Sequence, residues 1–157
     1  MPHITFGGKY VYGWLTVNDD GSILLPQEAL MDYQLIGNKK VLLMSGSRTS
    51  KGFSVMSLEL MKTYESHMLT VVAPALEGDD LRQDEVFFRQ KGRTFASAGL
   101  DNEGRLSLPD QAKEAFGIHP DSRLLSIRSS NVAFVNIFEG PIVERARQHS
   151  ELPVFEA

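Results

Sequence analysis

The residues with the clearest potential for chemistry are an aspartate and an arginine on either side of a glycine turn. Asp101 and Arg105 bracket the motif D-x-x-G-R, in which Gly104 is the glycine, and Pro109 and Lys113 follow shortly after. An arginine held in a turn on a rigid scaffold can reach a phosphate oxygen or a guanine edge. Asp101 can pair with Arg105 and hold it in place. The same pair could instead serve only to stabilise the turn, and the spacing alone leaves both interpretations open.

Motifs for other kinds of chemistry are missing from the sequence. There is no nucleotide-binding glycine loop, no nucleophile elbow and no zinc-protease helix. There is also no cysteine, which excludes disulfides and thiolate zinc sites. The histidines show no ligand spacing, so we interpret them as surface residues. They are His3, His67, His119 and His149. We therefore expect no catalytic residues, no metal and no cofactor, and hence no enzyme.

The sequence around the glycine turn occurs twice, at an offset of 83 residues. Most other aligned pairs exchange similar residues, such as Val17/Leu100 and Lys40/Arg123, and several identities fall where backbone geometry is constrained. The identical pairs are Gly21/Gly104, Leu25/Leu108, Pro26/Pro109, Ala29/Ala112 and Leu42/Leu125. The repetition indicates one supersecondary unit built twice.

Each repeat is predicted to run strand, tight turn, strand, short helix and hairpin. Gly21 and Gly104 supply the residue that tolerates a positive φ in the turn. Pro26 and Pro109 fit the first position of each helix, and Gly117 fits a helix stop.

The segments outside the repeats are predicted to be helices and a linker. An apolar stripe predicts one helix over residues 57–69, and an acidic stretch predicts a linker over 73–84. A second helix is predicted from Pro141 to near His149, followed by a frayed tail after Ser150. The predicted organisation divides the chain into four parts. These are repeat 1 (9–56), a helix and acidic linker (57–88), repeat 2 (89–137), and a C-terminal helix and tail (138–157).

A repeat this short cannot bury both faces of its own sheet. Two copies that interleave can bury them mutually. The sequence therefore predicts one pseudo-symmetric, mainly β barrel with short helices, rather than two separate domains.

Charge is distributed unevenly along the chain. The net charge is −4, but repeat 1 holds five basic and four acidic residues, and repeat 2 holds seven and five. The connector 57–88 holds two basic and seven acidic residues. The repeats are thus weakly basic, short of the strongly cationic surface of a stand-alone DNA-binding domain. The N-terminus lacks a signal peptide and no apolar run is long enough for a membrane span, so we expect a cytoplasmic protein.

The run from Asp101 through Arg105 to Pro109 resembles the SpoVT/AbrB-like swapped-hairpin family. The tandem arrangement, with Val86-Phe87-Phe88-Arg89 leading into repeat 2, is similar to the MraZ-like regulators of that family. The resemblance covers almost the whole chain. It implies tandem swapped-hairpin repeats, and a DNA-binding transcriptional regulator that assembles into homo-oligomers. Its partners would be double-stranded DNA and further copies of itself, with no membrane and no small-molecule substrate, and it would be nucleoid-associated.

The resemblance places the DNA contacts mainly in repeat 2. Arg105 and Lys113 match the basic positions of the family, and a basic cluster leading into repeat 2 could assist them. That cluster is Arg89, Lys91 and Arg93. Repeat 1 has no basic residue at the matching places, where it carries Asn18, Ser22, Leu30 and Met31. Leu30 and Met31 could belong to the core or to a protein-contact surface.

Two other functions remain open on the sequence. The loss of basic residues from repeat 1 and the net negative charge would suit a protein-interaction or antitoxin-like barrel that no longer binds DNA. A small-molecule-binding barrel would require a sizeable apolar cavity with a few convergent polar groups.

Overall fold

Repeat 1 supplies one half of a barrel. The structure is a computed structural model that describes residues 4–6, 9–47 and 51–156. The elements of the first half are β1 (Ile4–Phe6), β2 (Lys9–Thr16), β3 (Ile23–Leu24), α1 (Gln27–Asp32), β4 (Lys40–Ser45) and β5 (Phe53–Met56).

The connector between the repeats is more broken than the sequence predicts. The helix predicted over 57–69 is two helices, α2 (Leu58–Thr63) and α3 (Met68–Val71). The chain turns between them because Glu65 has a φ of 49°, and Ser66 Oγ then accepts a hydrogen bond from the Met68 N–H at 3.2 Å. The predicted linker contains a 3₁₀ turn and a small hairpin. Their bounds are Ala73–Ala75, β6 (Leu76–Glu77) and β7 (Asp80–Leu81).

Repeat 2 has the same order of elements as repeat 1. They are β8 (Phe87–Gln90), β9 (Arg93–Leu100), β10 (Arg105–Ser107), α4 (Asp110–Phe116), β11 (Arg123–Arg128) and β12 (Ala133–Ile137). The chain ends with α5 (Pro141–Ala146) and β13 (Val154–Phe155).

Each repeat lends its hairpin to the first long strand of the other. β2 pairs with β11, and β9 pairs with β4, both antiparallel. The registers match until an irregularity between Ser126 and Ile127 shifts the β2–β11 pair. β5 pairs with β12 and β3 pairs with β10. The sheet returns to its start through a bridge between Val17 and Ile23. The predicted fold class, a mainly β barrel with short helices, is confirmed.

An approximate two-fold axis relates the two repeats. Ile23 faces Leu106 where β3 and β10 pair, and Ser54 faces Val135 where β5 and β12 pair. Both pairs join equivalent positions, so the axis passes through them on opposite sides of the barrel.

The prolines lie at the N-caps of the short helices, one position before the first helical residue, whereas the sequence predicted them at that residue. Pro26 and Pro109 have extended backbones, with ψ of 132° and 155°, and they cap α1 and α4 rather than forming the first helical turn. Their carbonyl oxygens accept the first intrahelical bonds, from the Leu30 and Lys113 N–H groups. Gly117 ends α4 in the left-handed conformation.

The C-terminal tail is part of the sheet, and the prediction that it frays is wrong. β13 runs parallel to β2, with Val154 beside Trp14. The Trp14 N–H donates to the Pro153 carbonyl oxygen at 2.9 Å. Leu152 is buried in a cluster between β2, β11 and α5. Gly13 permits the approach, because a Cβ there would lie 2.5 Å from that carbonyl oxygen.

Where β11 and β12 pair in repeat 2, buried polar side chains replace buried apolar ones. Leu43 and Val55 are fully buried in repeat 1. Their counterparts Ser126 and Asn136 are equally buried and face each other on β11 and β12. Ser126 Oγ and Asn136 Oδ1 have no hydrogen-bond partner among the described residues.

Candidate functional site

The two glycine turns meet at one side of the barrel, where β3 and β10 pair. We call residues 18–22 and 101–105 the paired turns. In each turn the glycine N–H donates to the carbonyl oxygen three residues earlier, at 2.8 Å from Gly21 to Asn18 and at 3.1 Å from Gly104 to Asp101. Gly21 and Gly104 have φ of 83° and 90°, a region that favours glycine. The repeated motif thus produces two equivalent turns.

Asp101 organises the turn that carries Arg105. Its Oδ1 accepts hydrogen bonds from the backbone N–H groups of Arg105 at 2.8 Å and Glu103 at 2.9 Å. These bonds, with the Arg105 N–H first, hold the pKa of Asp101 below its ordinary value. Its Oδ2 lies 3.7 Å from Arg105 Nη1, while Glu103 Oε2 lies 3.9 Å from Arg105 Nη2. The Arg105 side chain is 37% exposed, so its guanidinium lies on the surface between two carboxylates.

The matching turn in repeat 1 is closed and carries no cation. Asp20 Oδ1 accepts from the N–H of Ser22 at 2.9 Å and from its hydroxyl at 2.6 Å. The hydroxyl bond is the main reason that the pKa of Asp20 is lowered. Asn18 Nδ2 donates to Ser22 Oγ at 3.1 Å. Ser22 is buried, so this turn offers no counterpart of Arg105.

Lys113 contacts the other repeat rather than extending freely into solvent. Its Nζ donates to the Asp20 carbonyl oxygen at 3.0 Å and lies 3.7 Å from Asp110 Oδ1. Its stem covers Gly21, where an added Cβ would lie 2.7 Å from Lys113 Cε. These contacts give Lys113 a positioning role. Its ammonium group has three donors, so the phosphate contact expected for Lys113 stays a prediction.

Repeat 1 makes the reciprocal contact with different side chains. Leu30, the counterpart of Lys113, covers Gly104, with its Cδ1 2.9 Å from where a Cβ would stand. Gln27 Nε2 donates to the Glu103 carbonyl oxygen at 2.9 Å. Leu30 is therefore a core residue, whereas Met31 is 67% exposed. The sequence had left both possibilities open for each.

The basic cluster of the β8–β9 hairpin lies far from Arg105. Arg89 donates to Thr94 Oγ1 at 3.2 Å, and Arg93 Nη1 donates to the Ser45 carbonyl oxygen at 2.8 Å. Lys91 occupies the turn with a φ of 54°. The eight residues of β9 separate this hairpin from the paired turns by about 23 Å. The structure does not bring Arg89, Lys91 and Arg93 together with Arg105.

The cleft beside Arg105 is lined mostly by acidic and neutral polar residues. Its volume is about 520 Å³, and Asp19, Asp20 and Asp121 line it together with Arg105. One guanidinium and three carboxylates thus line the same cleft. The cleft can hydrogen-bond a polar partner, but its charge does not by itself attract a phosphate backbone.

The sequence missed a polar cluster that joins α1 to the end of β11. Arg128 Nη2 lies 2.5 Å from Asp32 Oδ2, and the Tyr12 hydroxyl donates to the same oxygen at 2.7 Å. The Arg128 guanidinium stacks 4.6 Å above the Tyr10 ring, and the Tyr10 hydroxyl donates to Glu28. Burial, followed by the hydrogen bond to Asp32, raises the pKa of Tyr12.

A signal for this cluster was present in the alignment of the repeats. Asp32 of repeat 1 aligns with Ala115, and Arg128 of repeat 2 aligns with Ser45, so neither charge has a counterpart in the other repeat. These two departures have opposite charge, and the cross-pairing of the repeats brings them together.

The described residues hold no group of three or more histidine, aspartate or glutamate side chains that could bind a metal ion. His67 and His119 are exposed, and His149 Nδ1 lies 3.0 Å from Glu151 Oε1. His3 lies outside the described residues. No helix in the described part of the chain has the length and apolar character needed to cross a bilayer.

None of three comparisons, with family models, with curated proteins and with solved structures, finds a match to this chain. The fold and the paired turns define the class, a tandem-repeat barrel with exchanged hairpins, in which the paired turns carry one partly exposed arginine.

Proposed function

We propose that the chain is a DNA-binding transcriptional regulator of the SpoVT/AbrB type, resembling the tandem MraZ-like proteins, and that it acts as a homo-oligomer. The observation that carries the proposal is Arg105. Its backbone is fixed by Asp101 in a tight turn, and its guanidinium is partly exposed at the approximate two-fold axis. A positioned arginine of this kind can donate two parallel hydrogen bonds to a phosphate or to a guanine. The exchange of hairpins between repeats adds support, because the resemblance implies it.

The same geometry explains why an oligomer is part of the proposal. Each chain presents one such arginine, because Ser22 replaces it in repeat 1 and Lys113 is hydrogen-bonded to Asp20. A single contact among carboxylates contributes little affinity. Several chains on one DNA would add their contacts through a high effective concentration.

The test is a selection from a random DNA pool by the full chain, followed by affinity measurements at several salt concentrations. Arg105→Gln should weaken binding by about 1–3 kcal/mol per contact and reduce the salt dependence. Arg82→Gln is the matched control, because Arg82 also pairs with an exposed aspartate, Asp84, at 3.1 Å. Ser22→Ala, at the equivalent turn position, should also leave affinity unchanged. Equal losses from Arg105→Gln and Arg82→Gln would overturn the assignment of Arg105, and light scattering tests the oligomer.

A second candidate is a protein-interaction barrel. The specific observation in its favour is the acidic cleft around Arg105, together with two large apolar side chains exposed near the end of α1. Met31 is 67% exposed and Ile36 is 57% exposed. Absence of DNA binding by the wild-type chain at low salt would favour this candidate over the first.

A further inference from the structure

A second cavity lies on the opposite side of the barrel from the paired turns. It opens where β5 and β12 pair, beside α5, and its volume is about 340 Å³. Cavities that hold small ligands begin at about this size and combine apolar walls with a few polar groups. The charge and the polarity of the lining residues then decide what this cavity can hold.

The walls of the cavity are mainly apolar. Ile127 and Phe53 are fully buried beneath it, while four further apolar side chains are half-buried and leave part of their surface open to the cavity. These side chains are Met44, Val135, Ile137 and Ile142. An apolar group that enters would remove this surface from water, which is favourable by about 25 cal/mol per Å².

The charged groups at the cavity are both cations. Lys9 and Arg93 line it, and no acidic residue is among the described residues that do. Arg93 uses Nη1 to bind the Ser45 carbonyl oxygen, which leaves its other N–H groups available. Neither cation forms an ion pair with a described carboxylate. The nearby Glu139 is paired with Lys51 at 3.2 Å.

One buried hydroxyl also lines the cavity. Ser54 is only 4% exposed, and it lies on the approximate two-fold axis opposite Val135. Its hydroxyl can donate a hydrogen bond to a ligand in the cavity.

We propose that this cavity binds a small amphipathic carboxylate, such as a medium-chain fatty acid. The apolar chain packs against Met44, Ile127 and the residues of β12. The carboxylate accepts hydrogen bonds from Lys9, Arg93 and Ser54. Three aspartates line the cleft beside Arg105, whereas no acidic residue is among the described residues that line this cavity. The cavity therefore favours a negatively charged ligand. This site is independent of DNA binding.

The test is isothermal titration of the full chain with decanoate, and with decanol as the uncharged probe. Decanoate should saturate one site per chain and bind at least about tenfold more tightly than decanol, the equivalent of one charge-assisted hydrogen bond. Lys9→Gln and Arg93→Gln should each weaken decanoate binding several-fold without changing decanol binding. Ser54→Ala should weaken decanoate binding by a smaller factor.

The controls keep the result specific to this cavity. Lys9 is exposed, so Lys9→Gln tests the proposal even where Arg93→Gln disturbs folding through the lost bond to Ser45. Arg105→Gln removes the same charge on the opposite side of the barrel and should leave decanoate binding unchanged. Three results would overturn the proposal: no saturable decanoate binding, equal affinity for decanol, or equal effects of Lys9→Gln and Arg105→Gln.

Discussion

The ammonium nitrogen of Lys113 lies 3.0 Å from the backbone carbonyl oxygen of Asp20, so a side chain of repeat 2 caps the turn of repeat 1. The reciprocal carbonyl oxygen, that of Glu103, is capped from repeat 1 by Gln27 at 2.9 Å. Repeat 1 supplies a neutral amide where repeat 2 supplies a cation. The turns are thus held by contacts between the repeats as well as by their own hydrogen bonds.

Replacement of Lys113 should therefore affect stability more than surface charge alone would suggest. Lys113→Met keeps the aliphatic stem over Gly21 but removes the hydrogen bond to Asp20, and should lower the free energy of unfolding by about 0.5–1.5 kcal/mol. Urea denaturation followed by circular dichroism measures it. Lys39→Met, at an exposed lysine, is the control and should change stability little. No difference between the two variants would contradict the positioning role of Lys113.

The turn glycines should tolerate alanine to different extents. Gly104→Ala should be the most destabilising, because its Cβ would meet Leu30, which is buried and cannot move aside. Gly21→Ala should cost less, since its Cβ would meet the flexible Lys113 side chain. Gly78 also has a positive φ, but no atom lies within 4 Å of the position of its Cβ. Gly78→Ala should therefore cost only the backbone strain, about 1–2 kcal/mol. Thermal unfolding of the three variants gives the order, and equal losses would contradict it.

Stability should decrease at alkaline pH through Tyr12. Burial raises the pKa of Tyr12 above its ordinary value of 10, and the pKa values of Tyr10 and Tyr33 shift in the same direction. Below about pH 10 both the folded and the unfolded chain keep the phenol proton. Above it the unfolded chain loses the proton first, so the free energy of unfolding falls by up to about 1.4 kcal/mol per pH unit for each such group. Denaturation between pH 8 and 11 measures the slope. Tyr12→Phe should reduce it, and an unchanged slope would count against this assignment.

The C-terminal tail should contribute measurably to stability. Leu152→Ala should cost about 2–4 kcal/mol, because Leu152 is 5% exposed in the cluster beneath α5. Val154→Ala is the control in the same segment, since Val154 is 40% exposed, and it should cost less than about 0.5 kcal/mol. Guanidinium unfolding of both variants provides the comparison. Similar small losses would mean that the tail is not packed as described.

The sequence predicted the fold because its repeat carries geometric information. Gly21 and Gly104 mark turns, Pro26 and Pro109 mark helix starts, and an element that is too short to bury its own sheet must find a partner. The pattern could not predict the break in the helix after Thr63, because the apolar stripe continues through a backbone reversal at Glu65. Nor could it place the tail, since Leu152 becomes apolar core only through the approach of Pro153 to Gly13.

The candidate site was predictable only in part. The motif identified Arg105 and its support by Asp101. It could not show that Lys113 binds the Asp20 carbonyl oxygen, because that contact joins residues far apart in the sequence. The length of β9, which separates Arg93 from Arg105, was predictable from the sequence. The basic residues lie close together along the chain, however, and this suggested that they would share one surface.

The exchange of hairpins sets the order in which the barrel can assemble as the chain leaves the ribosome. β2 ends at Thr16, yet its partner β11 begins only at Arg123, and β4 must wait for β9. Repeat 1 therefore remains without most of its sheet partners until nearly the whole chain has been synthesised. Such long-range pairing slows folding and leaves strand edges exposed in the meantime. A nascent chain that stops after repeat 1 would then offer its unpaired strands to any complementary repeat, including one on a neighbouring nascent chain.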